Sequence, residues 1–259
     1  MTSLSNQSPI LEVNNINLSF LDGREPLEAL RDIHFQVLPE QFICIIGPSG
    51  SGKSTLLRIV AGLLSPTSGR ILFEGEEVTG PRPGVGMVFQ NANLMPWRTV
   101  LENVILPLEV DQHTPLSMDE KEARAQELID LVGLDGFQDW LPRELSGGMA
   151  QRVAIARSLV HDPRMLLLDE PFGSLDALTR ERMGVELLRI WRARKKTVMM
   201  VTHDIAEAVF LADRVLAFSP QPGTVSLDLD VDLDRPRQDG ERYSPRFVDL
   251  THQLRDAIR

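Results

Sequence analysis

The chain has 259 residues, of which 42% are hydrophobic and 25% charged, the usual balance of a globular protein. Its formal net charge of -10 weighs against nucleic acid as the main partner, and the single cysteine, Cys44, excludes an internal disulfide and favours a reducing compartment. The first ten residues lack the features of a signal peptide, and no run of eighteen apolar residues predicts a membrane span.

In chain order, the first predicted elements are two strands that alternate apolar and polar residues, at 11–20 and 30–37. The apolar run 41–47 predicts a buried strand, followed by a glycine-rich loop and a helix at 53–64. Further strands are predicted at 70–75, 84–90, 164–170 and 196–203.

The stretch from about 91 to 160 differs because its pattern is mostly helical. Ser117 and Glu120 have the spacing of a capping box, and an apolar stripe follows before Gly133. That stripe consists of Ala125, Leu128, Ile129 and Val132. A helical block between strands predicts an inserted lobe. Beyond about 219, the Pro-, Gly- and Asp-rich composition predicts a hairpin and a tail of lower order.

The loop at 47–55 has the pattern G-x-x-x-x-G-K-[ST] between a predicted strand and a predicted helix, which indicates a phosphate-binding loop. Small residues allow backbone N–H groups to wrap phosphates, Lys53 supplies charge to the β- and γ-phosphates, and Ser54 offers a hydroxyl to Mg²⁺. The nine residues are Gly47, Pro48, Ser49, Gly50, Ser51, Gly52, Lys53, Ser54 and Thr55.

Polar residues follow three later predicted strands. Asp169 and Glu170 end the strand predicted at 164–170, where an aspartate of a phosphate-loop ATPase holds Mg²⁺ and a glutamate can activate water. Without the phosphate loop, this acidic pair would be read as a solvated strand end. His203 and Gln90 would likewise be structural or surface residues when considered alone.

A second glycine-rich segment opens the predicted helix after Leu145. Ser146, Gly147 and Gly148 present exposed backbone N–H groups at a helix N-terminus, which favours an anion.

Taken in order, the phosphate loop, Gln90, "LSGGMAQRVAIARSL", "LLLDEPFGSLD" and His203 resemble the ATP-binding subunits of ABC transporters, from about Leu11 to Ala217. The resemblance implies an α/β fold: a P-loop NTPase (RecA-like) core, an N-terminal antiparallel β subdomain and an inserted helical signature subdomain. The whole chain, 1–259, would form one ABC ATPase domain. Its core would comprise 11–90 and 161–218, its helical subdomain 91–160, and its C-terminal hairpin and tail 219–259.

The resemblance also implies ATP and Mg²⁺ as cofactors, bound between two copies arranged head to tail. Lys53, Gln90, Glu170 and His203 would be catalytic, and Ser54, Gln90 and Asp169 would face the metal. Ser146 and Gly148 would contact the γ-phosphate held by the second copy, near Gly147, and Asp176 would lie in the loop that crosses this interface. Phe20 is either the aromatic residue that stacks on adenine or a core strand residue.

The segments around Gln90 and Asp169 look like those of nitrate, sulfonate and taurine importers, which implies a permease partner, an extracytoplasmic binding protein and a place on the cytoplasmic face of the membrane. Trp97 is either a core residue or part of a groove that docks the permease. Met149, Ala150 and the tail's "QPGTV" depart from the commoner pattern, and the transported solute is left open. The alternatives are a soluble ABC ATPase acting on DNA or ribosomes and a regulatory module without turnover.

Overall fold

The computed structural model describes residues 8–20, 26–111 and 116–258. The chain divides into two compact units, one formed by Met1–Arg82 with Lys196–Arg259 and the other by Pro83–Lys195. The strands and helices of the first unit are β1 (Leu11–Phe20), β2 (Leu27–Val37), β3 (Phe42–Ile46), α1 (Lys53–Val60), β4 (Ser68–Phe73), β5 (Glu76–Glu77), β8 (Thr197–Val201), α6 (Ile205–Leu211), β9 (Arg214–Phe218), β10 (Val225–Asp230) and α7 (Pro245–Ala257). Those of the second unit are β6 (Val85–Val88), α2 (Val100–Val110), α3 (Met118–Leu131), α4 (Gly147–Leu159), β7 (Met165–Asp169) and α5 (Ala177–Arg194).

An antiparallel sheet of order β2-β1-β4-β5 forms the N-terminal part of the first unit. Its strand β1 buries alternate side chains, among them Leu11 and Val13, as period-two patterning predicts. A bulge at Asn15, whose φ is 51°, shifts the register so that Ile16 and Leu18 also face the core. The predicted antiparallel strands are therefore confirmed.

A second group of strands in this unit is built around β3, which pairs in parallel with both β8 and β9, while β10 pairs antiparallel with β9. All five residues of β3 and all five of β8 are buried. Central parallel strands lie between other layers, which is why both read as continuous apolar runs in the sequence.

The C-terminal part is more ordered than its composition predicts. A hairpin is present as β9 and β10, but its first strand lies before residue 219, where the hairpin was expected to begin. The expectation of a tail of lower order is wrong, because α7 occupies much of that tail. Ser244 caps this helix, Pro245 starts it, and Phe247, Leu250 and Leu254 form a buried stripe at helical spacing.

The second unit combines the parallel strands β6 and β7 with the helices α2, α3, α4 and α5. Helices α2, α3 and α4 contact one another in pairs. The predicted capping box of Ser117 and Glu120 is present at the start of α3, and Gly133, with a φ of 69°, follows its end. The predicted stripe of Ala125, Leu128, Ile129 and Val132 is buried.

No helix in the described part of the chain is both long enough and apolar enough to cross a membrane.

Candidate functional site

The predicted phosphate loop connects the carboxyl end of β3 to the first residue of α1. Gly50 and Gly52 adopt φ values of 80° and 85°, left-handed conformations that glycine takes without steric cost. Gly52 is also the N-cap residue of α1, so the loop leads directly into the N-terminus of a helix. A helix N-terminus with free backbone N–H groups favours bound anions.

Lys53, the first residue of α1, holds its ammonium group inside this loop. The side chain is buried, and Nζ donates hydrogen bonds to the carbonyl oxygens of Gly47 at 2.9 Å and Pro48 at 2.8 Å. Because a buried charge needs polar partners, these carbonyls keep the ammonium in the loop and fix its position. The cation therefore lies where phosphate oxygens would need it.

The loop residues fit a nucleotide phosphate. Ser49 and Gly50 are exposed, and a Cβ built on Gly50 meets nothing within 4 Å, so the outer face of the loop is open. Ser54 and Thr55 lie half-buried in the first turn of α1, where the Ser54 hydroxyl is the type of oxygen ligand that Mg²⁺ accepts.

His203 lies between β8 and α6, with its side chain exposed. Three contacts hold this turn: the buried Thr202 hydroxyl donates to the Glu207 carboxylate, Asp204 N–H donates to Thr202 Oγ1 at 3.1 Å, and Glu207 N–H donates to Asp204 Oδ1 at 3.0 Å. Sequence reasoning missed Glu207, although an Asp three residues before a Glu is a helix-start signal that would have found it. The phosphate loop and His203 follow neighbouring parallel strands, and so they lie at the same edge of this sheet.

In the second unit, Asp169 ends β7 with a buried side chain, and Glu170 follows in a left-handed conformation with φ of 45°. Such a backbone is costly for a residue with a side chain and concentrates at functional positions. A Cβ placed on Gly173 would lie 3.4 Å from Glu170 Oε2 and 3.6 Å from Gln90 Nε2. The structure therefore brings Gln90 and Glu170 together, at the carboxyl ends of the paired strands β6 and β7.

Helix α4 begins in the second glycine-rich segment. Ser146 is its N-cap, and Ser146 Oγ accepts a hydrogen bond from Met149 N–H at 3.2 Å. Ser146 and Gly147 are exposed, which leaves this helix start open to a ligand. Farther along, Gln151 donates to Phe89 O at 3.3 Å, and Arg157 donates to Ala92 O and Asn93 O at 2.7 and 2.9 Å. Helix α4 is thus hydrogen-bonded to the chain immediately before Gln90 and shortly after it.

Asp176 is the N-cap of α5 and accepts a hydrogen bond from Thr179 N–H at 3.1 Å. Hydrogen bonds from the Thr179 side chain and backbone lower the pKa of Asp176, so its carboxylate stays charged near neutrality. Ideal Cβ positions on Gly147 and Gly148 lie 3.5 Å from Leu175 and 3.4 Å from Thr179. The structure thus places Asp176 beside the start of α4.

Two aromatic residues had alternative interpretations. Phe20, at the end of β1, is 42% exposed, and Trp97 is 73% exposed. The core interpretation is wrong for both, because each lies on the surface of its unit. The segment 21–25 that follows Phe20 lies outside the described residues.

A groove of about 620 Å³ opens in the second unit near the Gln90 segment. Its lining is mainly apolar and includes Phe89, Met95, Leu106 and Val110, with Arg157 from α4. Asn103 forms part of its support, because its buried side chain donates to the carbonyls of Met95, Arg98 and Thr99 and so ties the loop to α2.

Within the described ranges, no group of three or more His, Cys, Asp and Glu side chains is arranged to hold a metal ion. Magnesium at nucleotide sites usually needs only one or two protein oxygens, since phosphates and water supply the remaining ligands. Ser54 and Asp169 are suitable oxygen donors of this kind.

Comparison with known families gives a match between the "ABC transporter" model and residues 30–173, more than half of the chain. The chain belongs to the ABC transporter family. As an ABC transporter ATP-binding subunit, it is an ATPase. The family's P-loop fold agrees with the α/β architecture predicted from the sequence.

Within the ABC transporter family, the chain is 48% identical over 255 residues to the nitrate import ATP-binding protein of Synechocystis sp., covering 96% of this chain and 95% of that protein. It is 42% identical over 254 residues to the taurine import ATP-binding protein of Pseudomonas syringae pv. tomato, with 96% and 95% covered. A solved dimeric ATP-binding cassette in a post-hydrolysis state, bound to ADP and Pi, superposes with a TM-score of 0.76 at 33% identity, covering 86% of this chain and all of that one.

Proposed function

We propose that this chain is the ATP-hydrolysing subunit of an importer for a small anion of the nitrate, sulfonate or taurine type. The observation that carries the proposal is similarity over nearly the whole chain to nitrate and taurine import ATP-binding proteins. The chain would act at the cytoplasmic face of the membrane, on a permease that receives its solute from an extracytoplasmic binding protein.

The first unit supplies phosphate recognition in this proposal. The backbone N–H groups of the loop from Gly47 to Thr55 bind the β- and γ-phosphates, and the Lys53 ammonium neutralises their charge. Support comes from the ammonium's place inside the loop, 2.9 Å from Gly47 O. Phe20 stacks on the adenine, which agrees with its exposed ring.

The remaining groups orient the attack of water. Asp169, Ser54 and Gln90 would hold Mg²⁺, which would neutralise phosphate charge when bound. Glu170 accepts a proton from the attacking water as general base, and His203 donates a hydrogen bond to the γ-phosphate. The left-handed backbone of Glu170, with φ of 45°, supports a functional role at this position.

A second copy completes the site. Ser146, Gly147 and Gly148 of one copy bind the γ-phosphate held by the phosphate loop of the other, and Asp176 lines the contact. The exposed start of α4 supports this role, as does the dimeric state of the solved relative. ATP therefore joins the two copies, and hydrolysis separates them, so the nucleotide shifts an equilibrium between closed and open dimers.

The groove near Gln90 is the proposed docking site for the permease. Its apolar lining and the exposed Trp97 suit a partner helix that presents apolar side chains. Gln90 lies beside Glu170 in the same unit, so nucleotide state and permease contact share one segment.

The test of this function is ATP hydrolysis by purified Glu170→Gln. Without the carboxylate that accepts the water's proton, turnover should fall by about a hundredfold or more while ATP still binds. Sizing in Mg²⁺ and ATP should move this variant from the 29.0 kDa monomer to twice that mass.

Glu181→Gln is the matched control, because Glu181 is an exposed glutamate in α5 of the same unit. Equal turnover in Glu170→Gln and Glu181→Gln would refute the general-base role. If the wild-type chain does not hydrolyse ATP, the module without turnover is favoured instead. Recovery of nucleic acid or ribosomes, and of no membrane protein, from solubilised membranes would refute the importer.

A further inference from the structure

The carboxyl end of β9 and the turn that follows it press against the phosphate loop. We call residues 218–223 the buttress turn. Gly223 in this turn is so close to the loop that an ideal Cβ on it would lie 2.0 Å from the Ser51 carbonyl oxygen. At the loop's first glycine, an ideal Cβ on Gly47 would lie 2.8 Å from Phe218 O. These distances are shorter than any normal non-bonded contact to a Cβ, so only glycine fits at each position.

The buttress turn cannot easily move away from the loop. Gly223 N–H donates to Ala29 O at 3.0 Å, and Arg31 N–H donates to Gly223 O at 2.9 Å. Strand β2 is therefore hydrogen-bonded to both the N–H and the C=O of this glycine. The Gln221 side chain also donates to Glu28 O at 3.1 Å. A side chain at 223 would therefore displace the Ser51 carbonyl rather than the turn.

The Ser51 carbonyl matters because of the peptide to which it belongs. The Ser51–Gly52 peptide carries the Ser51 oxygen on one side and the Gly52 N–H on the other, since a trans peptide points the two groups in opposite directions. The contact with Gly223 thus sets the direction of an N–H group of the phosphate loop. Gly52 is also the N-cap of α1, so the same peptide sets the start of that helix.

We infer that Gly223 is a positioning residue for nucleotide binding: the buttress turn holds the Ser51–Gly52 peptide in the orientation that receives phosphate. This inference rests on the proposed binding of ATP by the phosphate loop. Gly223 would act on the nucleotide through the Ser51–Gly52 peptide, to which it lies close. The C-terminal hairpin therefore contributes to affinity for phosphate as well as to the fold.

The experiment measures the Kd of Mg²⁺–ADP by calorimetry with the full chain, so that hydrolysis plays no part. Gly223→Ala should raise this Kd at least tenfold. The matched control is Gly240→Ala, the same change at a glycine whose ideal Cβ meets nothing within 4 Å, and its Kd should stay within twofold of wild type. Melting temperatures of the nucleotide-free variants separate loss of affinity from loss of fold.

A folded Gly223→Ala with wild-type affinity would overturn the inference and leave the proposed function intact. Failure of the wild-type chain to bind ADP would instead refute the proposed function. If Gly223→Ala does not fold, Ser219→Ala tests whether the buttress turn affects nucleotide affinity. It removes the hydroxyl that accepts from Thr224 N–H at 3.0 Å and adds no bulk. A Kd raised twofold or more supports the inference, and an unchanged Kd overturns it.

Discussion

Arg237 shows how one side chain can hold the segment after β10 against α6 within the first unit. Its guanidinium is buried and donates from Nη1 to the carbonyl oxygens of Val209, Phe210 and Ala212, at 3.0, 3.0 and 2.6 Å. These carbonyls lie at the end of α6, where helix geometry leaves them without backbone partners. Burial lowers the pKa of Arg237 to about 10, so the group remains charged at pH 7.

Replacing Arg237 with methionine should destabilise the chain by about 3 kcal/mol, because several buried carbonyls lose a charged donor. Urea unfolding measures this change. Arg255→Met, an exposed position on α7, should cost less than about 0.5 kcal/mol. Equal midpoints for the two variants would contradict the assigned role of Arg237.

At the scale of single elements, Ser146 has a structural role as the N-cap of α4 and a proposed role in binding phosphate. Its hydroxyl caps α4, and the same hydroxyl is proposed to meet phosphate from the second copy. A substitution that preserves the cap and alters the charge separates the two roles. Aspartate is such a residue, because it caps helices about as well as serine and suits the positive end of the helix dipole.

Ser146→Asp should therefore keep the melting temperature within a few degrees of wild type, yet lower ATP hydrolysis at least tenfold because a carboxylate would face phosphate. Ser244→Asp is the matched control: Ser244 caps α7 with the same 3.2 Å bond, from Phe247 N–H. This control should retain both stability and hydrolysis. Full activity in Ser146→Asp would argue against γ-phosphate contact by this helix.

The elements differ in how far sequence alone predicts them. Strands β3, β7 and β8 are readable because their burial on both faces leaves continuous apolar runs. The phosphate loop is readable because its chemistry restricts residue type at each position. Helix α7 was missed, since its three buried residues follow a Pro-, Gly- and Asp-rich stretch that dominates the composition.

Contacts between distant segments are the part that the sequence did not reveal. Glu207 could have been found from the Asp three residues before it. No local pattern marks Gly223, because its inferred role depends on contact with Ser51, 172 positions earlier. The surface positions of Phe20 and Trp97 were also undecided, since an aromatic residue at a strand end or in a loop suits either environment.

For the whole molecule, the proposed importer function requires a surface that binds a permease. The groove lined by Phe89, Met95, Leu106 and Val110 is a concave apolar surface in the described part of the second unit. Val110 lies at the end of α2 with 71% of its surface exposed, so a substitution there alters the surface with little effect on the core.

Val110→Glu should abolish recovery of the permease when the tagged chain is purified from detergent-solubilised membranes, because docking would bury the new carboxylate. Val248→Glu makes the same change at a valine on α7 that is 45% exposed and does not line the groove. It should recover the permease as wild type does. Equal recovery by both variants would place the docking surface elsewhere.

Helix α4 has a consequence for ligand binding. At 13 residues it is about 20 Å long. It connects Ser146 at its start to Arg157 near its end, which donates to the carbonyls of Ala92 and Asn93. We therefore expect a displacement of Ser146, the proposed phosphate-binding end, to shift the segment at 92–93 as well. If Ser146 binds phosphate as proposed, a small molecule bound in the groove should change the affinity for ATP without resembling ATP, because coupling between two binding free energies is reciprocal.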